Sequence, residues 1–173
     1  MRHEFRRWLE GVDIRNLVFV DEAGVHLSLS RLYGRAVGGE RVVQTRNKAA
    51  NISLLGALRW EGLIAMMTIP GSVDTPVFLT YLREILIPQL WTGAIVVMDN
   101  LKVHYAAQVQ AAIEAAGAKL VFLPPYSPDL SPIELCWSKL KQLLHSRAAR
   151  TLEALNQALS DVMSYITEEG ALN

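Results

Sequence analysis

The sequence predicts an α/β domain built on a mixed five-stranded sheet that is flanked by helices. In the second half of the chain, short apolar runs alternate with helical patterns, an alternation typical of parallel strands joined by helices. Two apolar runs on either side of residues 59–62 indicate an antiparallel hairpin instead. A sheet that contains both kinds of strand pairing is therefore expected.

Five apolar runs predict the strands. Each is short and rich in valine, isoleucine or leucine, as strands buried within a sheet usually are. They cover residues 17–20, 51–58, 62–69, 94–98 and 119–123. Between the first two, the glycines and arginines of residues 23–50 indicate a loop or loose hairpin, with a candidate strand at residues 41–44. That segment either approaches a phosphate backbone or is a solvated loop.

Helical periodicity and its start and stop signals predict five helices. Gly11 ends the first, Thr75 opens the second, and the second should stop before Pro88. Gly117 closes the third, and Thr151 caps the last. The predicted helices cover residues 2–10, 75–87, 105–116, 132–146 and 151–167.

The size and composition of the chain suit one globular domain. It has 173 residues, of which 51% are hydrophobic and 20% are charged. No apolar run approaches the roughly 18 residues of a membrane span, and the charged start is unlike a signal peptide. The single cysteine, Cys136, excludes an internal disulfide and suits a reducing cytoplasm. We expect residues 1–14 to be the remnant of a linker helix and residues 15–173 to form the domain.

The formal net charge is zero, which by itself argues against a surface that strongly attracts nucleic acid. The charge is uneven, however, because one basic cluster contains only Glu40 as an acid and another contains none. The clusters are Arg31, Arg35, Arg41, Arg46 and Lys48, and Lys139, Lys141, Arg147 and Arg150. From them we take as candidate DNA contacts Arg35, Arg46, Lys48, Lys139 and Lys141; a solvated helix face is the alternative for the two lysines.

Two predicted strands end in acids, Asp21 and Asp99. Strand ends of this kind lie at the edge of the sheet where α/β proteins place their chemistry, although either residue alone is also explained as a solvated strand end. If Glu134 joins them, the three carboxylates need a cation to stay ionised together, and hard oxygen ligands suit Mg²⁺ or Mn²⁺. Two such ions can activate a water or hydroxyl and stabilise the leaving oxygen of a phosphodiester.

A stiff loop presents Glu134. Four of the seven prolines lie between residues 124 and 132, and each restricts its own φ and the residue before it. The loop ends at a helix start, where Ser131 can act as N-cap and Pro132 suits the first helical position. The alternative is that residues 131–134, an S-x-x-E capping box, only start the helix. The sequence contains neither a zinc-binding spacing of cysteine and histidine nor a GxxxxGK[ST] phosphate loop.

Several blocks of the chain resemble the catalytic domain of bacterial insertion-sequence transposases related to the mariner group. The blocks are FVDE at 19–22, GRA at 34–36, GAL at 56–58, MDN at 98–100 with His104, FLPPYSPDLSPIE at 122–134, and WSKLK at 137–141. Residues 100–133, 34 in number, separate the second acid from the third, and this spacing is typical of mariner-like members. The resemblance covers about residues 15–165.

The resemblance implies a ribonuclease-H-like fold with a DDE site. Asp21, Asp99 and Glu134 would then be the catalytic acids and the ligands of two divalent ions, Mg²⁺ or Mn²⁺. The implied activity is cleavage of DNA at the ends of a mobile element and transfer of the cut strand to target DNA. The rival interpretations are a ribonuclease-H-like nuclease and a catalytically silent DNA-binding or assembly subunit of a decayed element.

Residues beside the acids are expected to orient the acids or the substrate. They are Glu22, Asn100 and His104, and for the last two the alternative is a plain role as polar residues at a helix start. Trp137 is expected to pack in the core, with stacking on a DNA base as the alternative. Cys136 is expected to be a small core side chain, and Tyr126 to shape the loop.

The resemblance also implies partners. They are double-stranded DNA, comprising terminal inverted repeats and target, and a second copy of the chain on that DNA; no membrane partner is expected. Family members usually carry an N-terminal helix-turn-helix region, and this chain begins almost at the catalytic domain. We therefore expect either a separate chain that supplies the region or a remnant that lacks it.

Overall fold

The computed structural model describes residues 1–26, 51–105, 107–147 and 152–169. Its strands are β1 Leu17–His26, β2 Asn51–Arg59, β3 Gly62–Pro70, β4 Ile95–Met98 and β5 Lys119–Phe122. They form a five-stranded sheet in the order β3-β2-β1-β4-β5. The pairs β1–β2 and β2–β3 are antiparallel, and the pairs β1–β4 and β4–β5 are parallel. The predicted mixed sheet is therefore confirmed.

Helices pack on both faces of this sheet. They are α1 Arg2–Glu10, α2 Thr75–Tyr81, α3 Ala107–Ala115, α4 Ile133–Arg147 and α5 Leu152–Glu169. One core lies against α1, α4 and α5, and a second core lies against α2 and α3. Within the described residues, no helix is both long and apolar enough to cross a bilayer.

Strand β1 contributes to both cores because successive side chains of a strand point to opposite faces. Leu17 and Phe19 pack in the core beside α4, whereas Val18 and Val20 pack in the core beside α2. Because Asp21 follows Phe19 by two residues, the same alternation directs Asp21 to the face that α4 covers. The periodicity of one strand thus sets the direction of a predicted site residue.

The strand predicted at residues 17–20 is too short, and the placement of Asp21 at its end was wrong. β1 continues to His26 because β2 pairs with it along residues 19–26, opposite Gly56 at the position of Asp21. On its other side, β1 pairs with β4 only as far as Val20 and Met98. Asp21 therefore lies within a strand, one residue beyond the point where its parallel neighbour ends.

The second helix stops before Pro88 as predicted, although it does not extend to residue 87. It starts as predicted, with Asp74 as its N-cap, but its α-helical part ends at Tyr81. The chain then continues as a π-helical turn, Leu82–Leu86, and a 3₁₀ turn, Ile87–Gln89, that includes the proline. Because proline has no N–H and its ring crowds the carbonyl four residues earlier, a change of helical pitch before it lets the path continue.

Strand β3 has an irregularity opposite the centre of β2. Leu55 pairs with Met67 and Ala57 pairs with Ile64, so Ala65 and its successor face a single residue of β2. Ala65 has a φ of 53°, the left-handed conformation that some β-bulges require. The residue of β2 at this bulge is the glycine that also pairs with Asp21 on β1.

Helix α1 packs against the domain. Phe5 is buried in the same core as α4, and Arg6 lies 3.5 Å from Asp129 of the proline-rich loop, an acid that Arg2 also contacts. The division into residues 1–14 and 15–173 stays a prediction.

Some predictions lie outside the described residues. They are the candidate strand at residues 41–44, the part of the predicted loop from residue 27 onward, and the N-cap Thr151. Residues 23–26, which were assigned to that loop, belong to β1 instead.

Candidate active site

A cleft of about 380 Å³ opens at the edge of the sheet where β1 runs past the end of β4. The three acids selected from the sequence all line this cleft: Asp21, Asp99 and Glu134. The first comes from β1, the second follows β4, and the third belongs to the first turn of α4. The proline-rich loop lines the cleft from Leu123 to Pro128. Carboxylates that lie far apart in the chain thus share one cavity.

Asp21 is a buried acid, with 9% of its surface exposed. Its Oδ2 atom accepts a hydrogen bond from Trp137 Nε1 at 3.0 Å. Burial raises the pKa of Asp21 to about 6, in opposition to a hydrogen bond from the Glu22 backbone, which lowers it. The negative charges of Glu134 and Asp99 also raise this pKa and the indole bond also lowers it, so that about 6 is the net result. The charges of all three acids therefore act on one another.

The contact between Trp137 and Asp21 was missed in the sequence. The predicted core packing is observed, since Trp137 is only 2% exposed, and the same burial prevents it from stacking on a base. A signal did exist, because a buried indole N–H usually needs an acceptor. The identity of that acceptor could not be predicted from the sequence, since 116 positions separate the two residues.

Asp99 is held by two donors. His104 Nδ1 lies 2.7 Å from Asp99 Oδ1, and the backbone N–H of Leu101 donates to the same oxygen at 3.1 Å. Burial alone would raise the pKa of Asp99, but these hydrogen bonds and the charge of His104 outweigh it and hold the pKa below its usual value. His104 is itself buried, and its ring lies 4.6 Å from the ring of Phe78.

Glu134 is exposed at the start of α4. In a capping box its carboxylate would accept from the N–H of Ser131, but that N–H donates to the carbonyl of Pro128 at 2.9 Å. Within the described residues, the Glu134 carboxylate accepts no hydrogen bond and forms no ion pair. The Glu134 side chain therefore does not form its half of a capping box, and the capping interpretation of this residue is wrong. Its carboxylate remains available to the cleft.

The predicted neighbours of the acids differ in what they contact. Asn100 lines the cleft and joins the ends of two strands, since its Nδ2 donates to the carbonyl of Leu123 at 2.6 Å. Its Oδ1 accepts from the hydroxyl of Tyr105. Glu22 has a buried Oε2 without a partner in the described part of the chain, and burial raises its pKa. The buried His104 Nε2 likewise has no partner there.

A family model described as DDE superfamily endonuclease matches residues 16–156. The chain belongs to this family. The match includes all three acids of the cleft and the loop that leads to Glu134. No curated protein sequence matches the chain.

Solved structures of transposases share the fold of this DDE family member. The Mos1 transposase paired-end complex with left transposon end superimposes with a TM-score of 0.75 at 16% identity, over 98% of this chain and 54% of the other. The catalytic domain of Mos1 mariner transposase gives 0.65 at 14% identity, over 98% and 78%. The Mos1 catalytic domain with Raltegravir and Mn gives 0.67 at 16% identity, over 96% and 77%. The fold is therefore ribonuclease-H-like, and the chain spans about half the length of the transposase in the paired-end complex.

The cleft of this DDE family member has the donor chemistry of a hard divalent cation, because its acids offer only oxygen ligands. In the described residues, no three histidine, cysteine, aspartate or glutamate side chains are arranged to hold one metal ion together. Mg²⁺ is commonly bound by only one or two carboxylates, with water and substrate phosphates completing its shell. The cleft thus fits divalent ions that are each bound by one or two of its carboxylates.

Of the other selected residues, Tyr126 lines the cleft, and the rest lie away from the carboxylates or outside the described residues. Lys139 and Lys141 are exposed on α4 and do not line the cleft. Cys136 is half-buried against the core, and burial raises the pKa of its thiol. Tyr126 lines the cleft, is 97% exposed and has a φ of 54°. The candidate DNA contacts outside the described residues are Arg35, Arg46 and Lys48.

Proposed function

We propose that this chain is the catalytic domain of a DNA transposase and that Asp21, Asp99 and Glu134 are its catalytic acids. The observation that carries the proposal is the convergence of these three carboxylates on one cleft in a member of the DDE endonuclease family. The names of structural relatives support it, since they describe Mos1 transposase in a paired-end complex and in a strand transfer complex.

The proposed cofactors are two Mg²⁺ or Mn²⁺ ions. Asp21 and Asp99 would hold one ion, and Glu134 would complete the site of the other. The relatives support this choice, because Mos1 structures are described with Mn and with Mg. When bound, the ions would supply charge stabilisation for the phosphodiester and help to ionise the attacking hydroxyl.

The reaction has two in-line displacements at phosphorus. In the first, water attacks at the end of the element, and the strand breaks to leave a 3′-hydroxyl and a 5′-phosphate. In the second, that 3′-hydroxyl attacks a target phosphodiester, so one P–O bond forms as another breaks. The chain would contribute positioned negative charge: Asp99 stays ionised because of its donors, and the loop before α4 presents Glu134.

The proposed partners are double-stranded DNA and a second copy of the chain. The DNA would comprise the terminal inverted repeats of the element and the target, and Lys139 and Lys141 are candidate phosphate contacts on the helix that carries Glu134. A separate chain with a helix-turn-helix region would read the repeats. A DNA substrate and a lone thiol suit a cytoplasmic location.

The test is Mn²⁺-dependent cleavage of a duplex that contains the DNA flanking the gene. The Asp21→Asn, Asp99→Asn and Glu134→Gln variants should each lose about 1000-fold or more in cleavage rate, equivalent to roughly 4 kcal/mol at the transition state. The matched control is Glu61→Gln, an exposed acid in the β2–β3 turn that pairs with Arg59; it should cleave at the wild-type rate.

Each rival has its own outcome in this assay. Cleavage of RNA–DNA hybrids in preference to the flanking DNA would favour a general ribonuclease-H-like nuclease. Binding of the duplex without cleavage in Mn²⁺, together with no Mn²⁺ binding in calorimetry, would favour a silent assembly subunit. Undiminished cleavage by Asp99→Asn would exclude the proposed site.

A further inference from the structure

We propose that Trp137 is a positioning residue for Asp21 and that Gly56 provides the space for its indole ring. The proposal rests on the proposed function, in which Asp21 binds a divalent cation. It gives a role at the cleft to two residues, Trp137 and Gly56, that do not line it.

The first observation is the hydrogen bond itself. Trp137 Nε1 donates to Asp21 Oδ2 at 3.0 Å, and both residues are buried. A carboxylate that is free to rotate about its last torsion presents its oxygens in many directions, because that torsion is broad. A donor on Oδ2 restricts the rotation. Since an ionised carboxylate has about four acceptor positions, one bond leaves the others available to a cation.

The second observation is the position of Trp137 in α4. It follows Glu134 by three residues, so the two side chains lie on neighbouring parts of the helix surface. The same helix therefore carries one acid of the cleft and the donor that holds another. Any shift of α4 along its axis would move Glu134 and the anchor of Asp21 together.

The third observation is Gly56, which pairs with Asp21 across the β1–β2 ladder. A Cβ atom at this position would lie 2.8 Å from Trp137 Cη2 and 2.5 Å from Met66 Sδ. The backbone of Gly56 is not in the left-handed region, so conformation does not require a glycine there. Space does, because the methionine end can move but the indole ring is enclosed by the core.

Together these contacts connect β2 to α4 and α4 to β1. Gly56 makes room for the indole, the indole N–H orients Asp21, and α4 sets that N–H relative to Glu134. Removal of the N–H should weaken cation binding without removal of any ligand. Groups that support metal ligands in this way typically contribute a factor of about 10–100 to affinity.

The experiment measures Mn²⁺ binding to the full chain by calorimetry. Trp137→Phe keeps an aromatic ring in the core and removes the donor, and we expect it to bind Mn²⁺ about tenfold more weakly than the wild type. The control is Trp91→Phe, which removes a comparable indole bond, from Trp91 Nε1 to Asn16 Oδ1 at 3.4 Å, away from the cleft. It should bind Mn²⁺ with wild-type affinity.

Two further variants separate the N–H from packing. In Trp137→benzothienylalanine, sulfur replaces the N–H in a ring of the same shape. This variant should also bind Mn²⁺ about tenfold more weakly than the wild type. Because its packing is unchanged, it tests the N–H even where the phenylalanine variant folds poorly. Gly56→Ala should also weaken Mn²⁺ binding. Combined with Trp137→Phe it should add little, because the shorter ring lacks the atoms that a Cβ would meet.

The outcomes distinguish this inference from the proposed function. If the wild type binds Mn²⁺, if Asp21→Asn abolishes that binding, and if the benzothienylalanine variant binds as the wild type does, only the role of Trp137 is overturned. If the wild type binds no Mn²⁺, the proposed metal site and the inference both fail. An affinity loss in Trp137→benzothienylalanine but not in Trp91→Phe supports the role.

Discussion

Asp21 directly follows Val20 of β1, and Asp99 directly follows Met98 of β4, the last residues that pair in these two parallel strands. Both acids line the same cleft, yet their surroundings shift their pKa values in opposite directions. Asp21 is 9% exposed and has a pKa raised to about 6, mainly by burial. The Asp99 side chain is 39% exposed, and its hydrogen bonds to His104 and Leu101 hold its pKa below the usual value. Of the two, only Asp21 should therefore change charge near neutral pH.

The difference shows how one sheet can give two aspartates opposite pKa shifts. Asp21 is enclosed because β1 continues past it and α4 covers it, whereas Asp99 stands where β4 has ended and the chain turns back. The turn after β4 leaves space for solvent around Asp99, whereas the interior of β1 leaves little around Asp21. We expect Asp99 to be the permanently charged acid and Asp21 the acid that controls when the pair is fully charged.

The largest expected effect concerns stability. The pKa of Asp21 rises from 3.8 to about 6 on folding, so the folded chain retains a proton that the unfolded chain loses between these pH values. Stability should therefore fall as pH rises from about 4 to 7, by about 3 kcal/mol in total. Asp21→Asn should remove this loss and be the more stable protein at pH 7.5.

Urea denaturation of both proteins at pH 4.5 and 7.5 measures this effect. Asp99→Asn is the matched comparison. It should lose stability at pH 7.5, because the variant gives up a charge-assisted bond to His104. The same sign of change in both variants would contradict the difference between the two acids.

The second effect concerns cation affinity. A proton on Asp21 competes with Mn²⁺, so affinity should fall about tenfold between pH 7 and pH 5 as the pH passes through a pKa of about 6. Asp99 should contribute little to this change, since its lowered pKa keeps it ionised at both values. Calorimetry in non-coordinating buffers measures the affinity, and a flat profile down to pH 4.5 would show that Asp21 is not the acid that titrates.

A smaller effect is expected at His104. Substitution of His104 by Phe keeps the ring contact with Phe78 and removes the donor to Asp99. It should cost no more than about 1 kcal/mol, because the loss of the bond is partly offset by removal of a buried Nε2 without a partner. The pKa of Asp99 should rise, since burial is then less opposed, and carbon-13 NMR of the carboxyl group measures it.

The smallest effect is expected outside the cleft. Asp129 contacts Arg2 and Arg6 of α1, but all three side chains are about half exposed. Asp129→Asn should therefore destabilise the chain by less than about 1 kcal/mol, and the difference should shrink in 0.5 M salt. Thermal unfolding at low and high salt measures it; a loss of several kcal/mol would mean that α1 contributes more to the domain than its ion pairs suggest.

The sequence allowed the sheet, most of the helices and the convergence of the acids to be predicted. Apolar runs mark β4 and β5 clearly because both strands are short and, apart from Lys119 at the start of β5, apolar. The extension of β1 through Glu22 and Gly24 was not predictable from local preference, since neither residue favours strands. Pairing with β2, 25 or more positions away, determines it.

The details of the site depend on contacts that local sequence does not encode. The motif at residues 131–134 is a good capping box by pattern, but the 3₁₀ turn Pro128–Leu130 supplies another acceptor for the N–H of Ser131. The indole bond to Asp21 joins residues that only the complete fold brings together. The three acids could be predicted because acids that directly follow an apolar run or begin a helix are local features, whereas their donors are tertiary ones.

Gly56 has a consequence for how the chain tolerates change. It lies in the middle of β2, does not itself line the cleft, and has no left-handed backbone conformation that would require a glycine. A saturation mutagenesis experiment scored by Mn²⁺ affinity should nevertheless find that every side chain larger than hydrogen at this position weakens binding. Drift in the sequence of β2 would then weaken the proposed metal site without a change at any of its three acids.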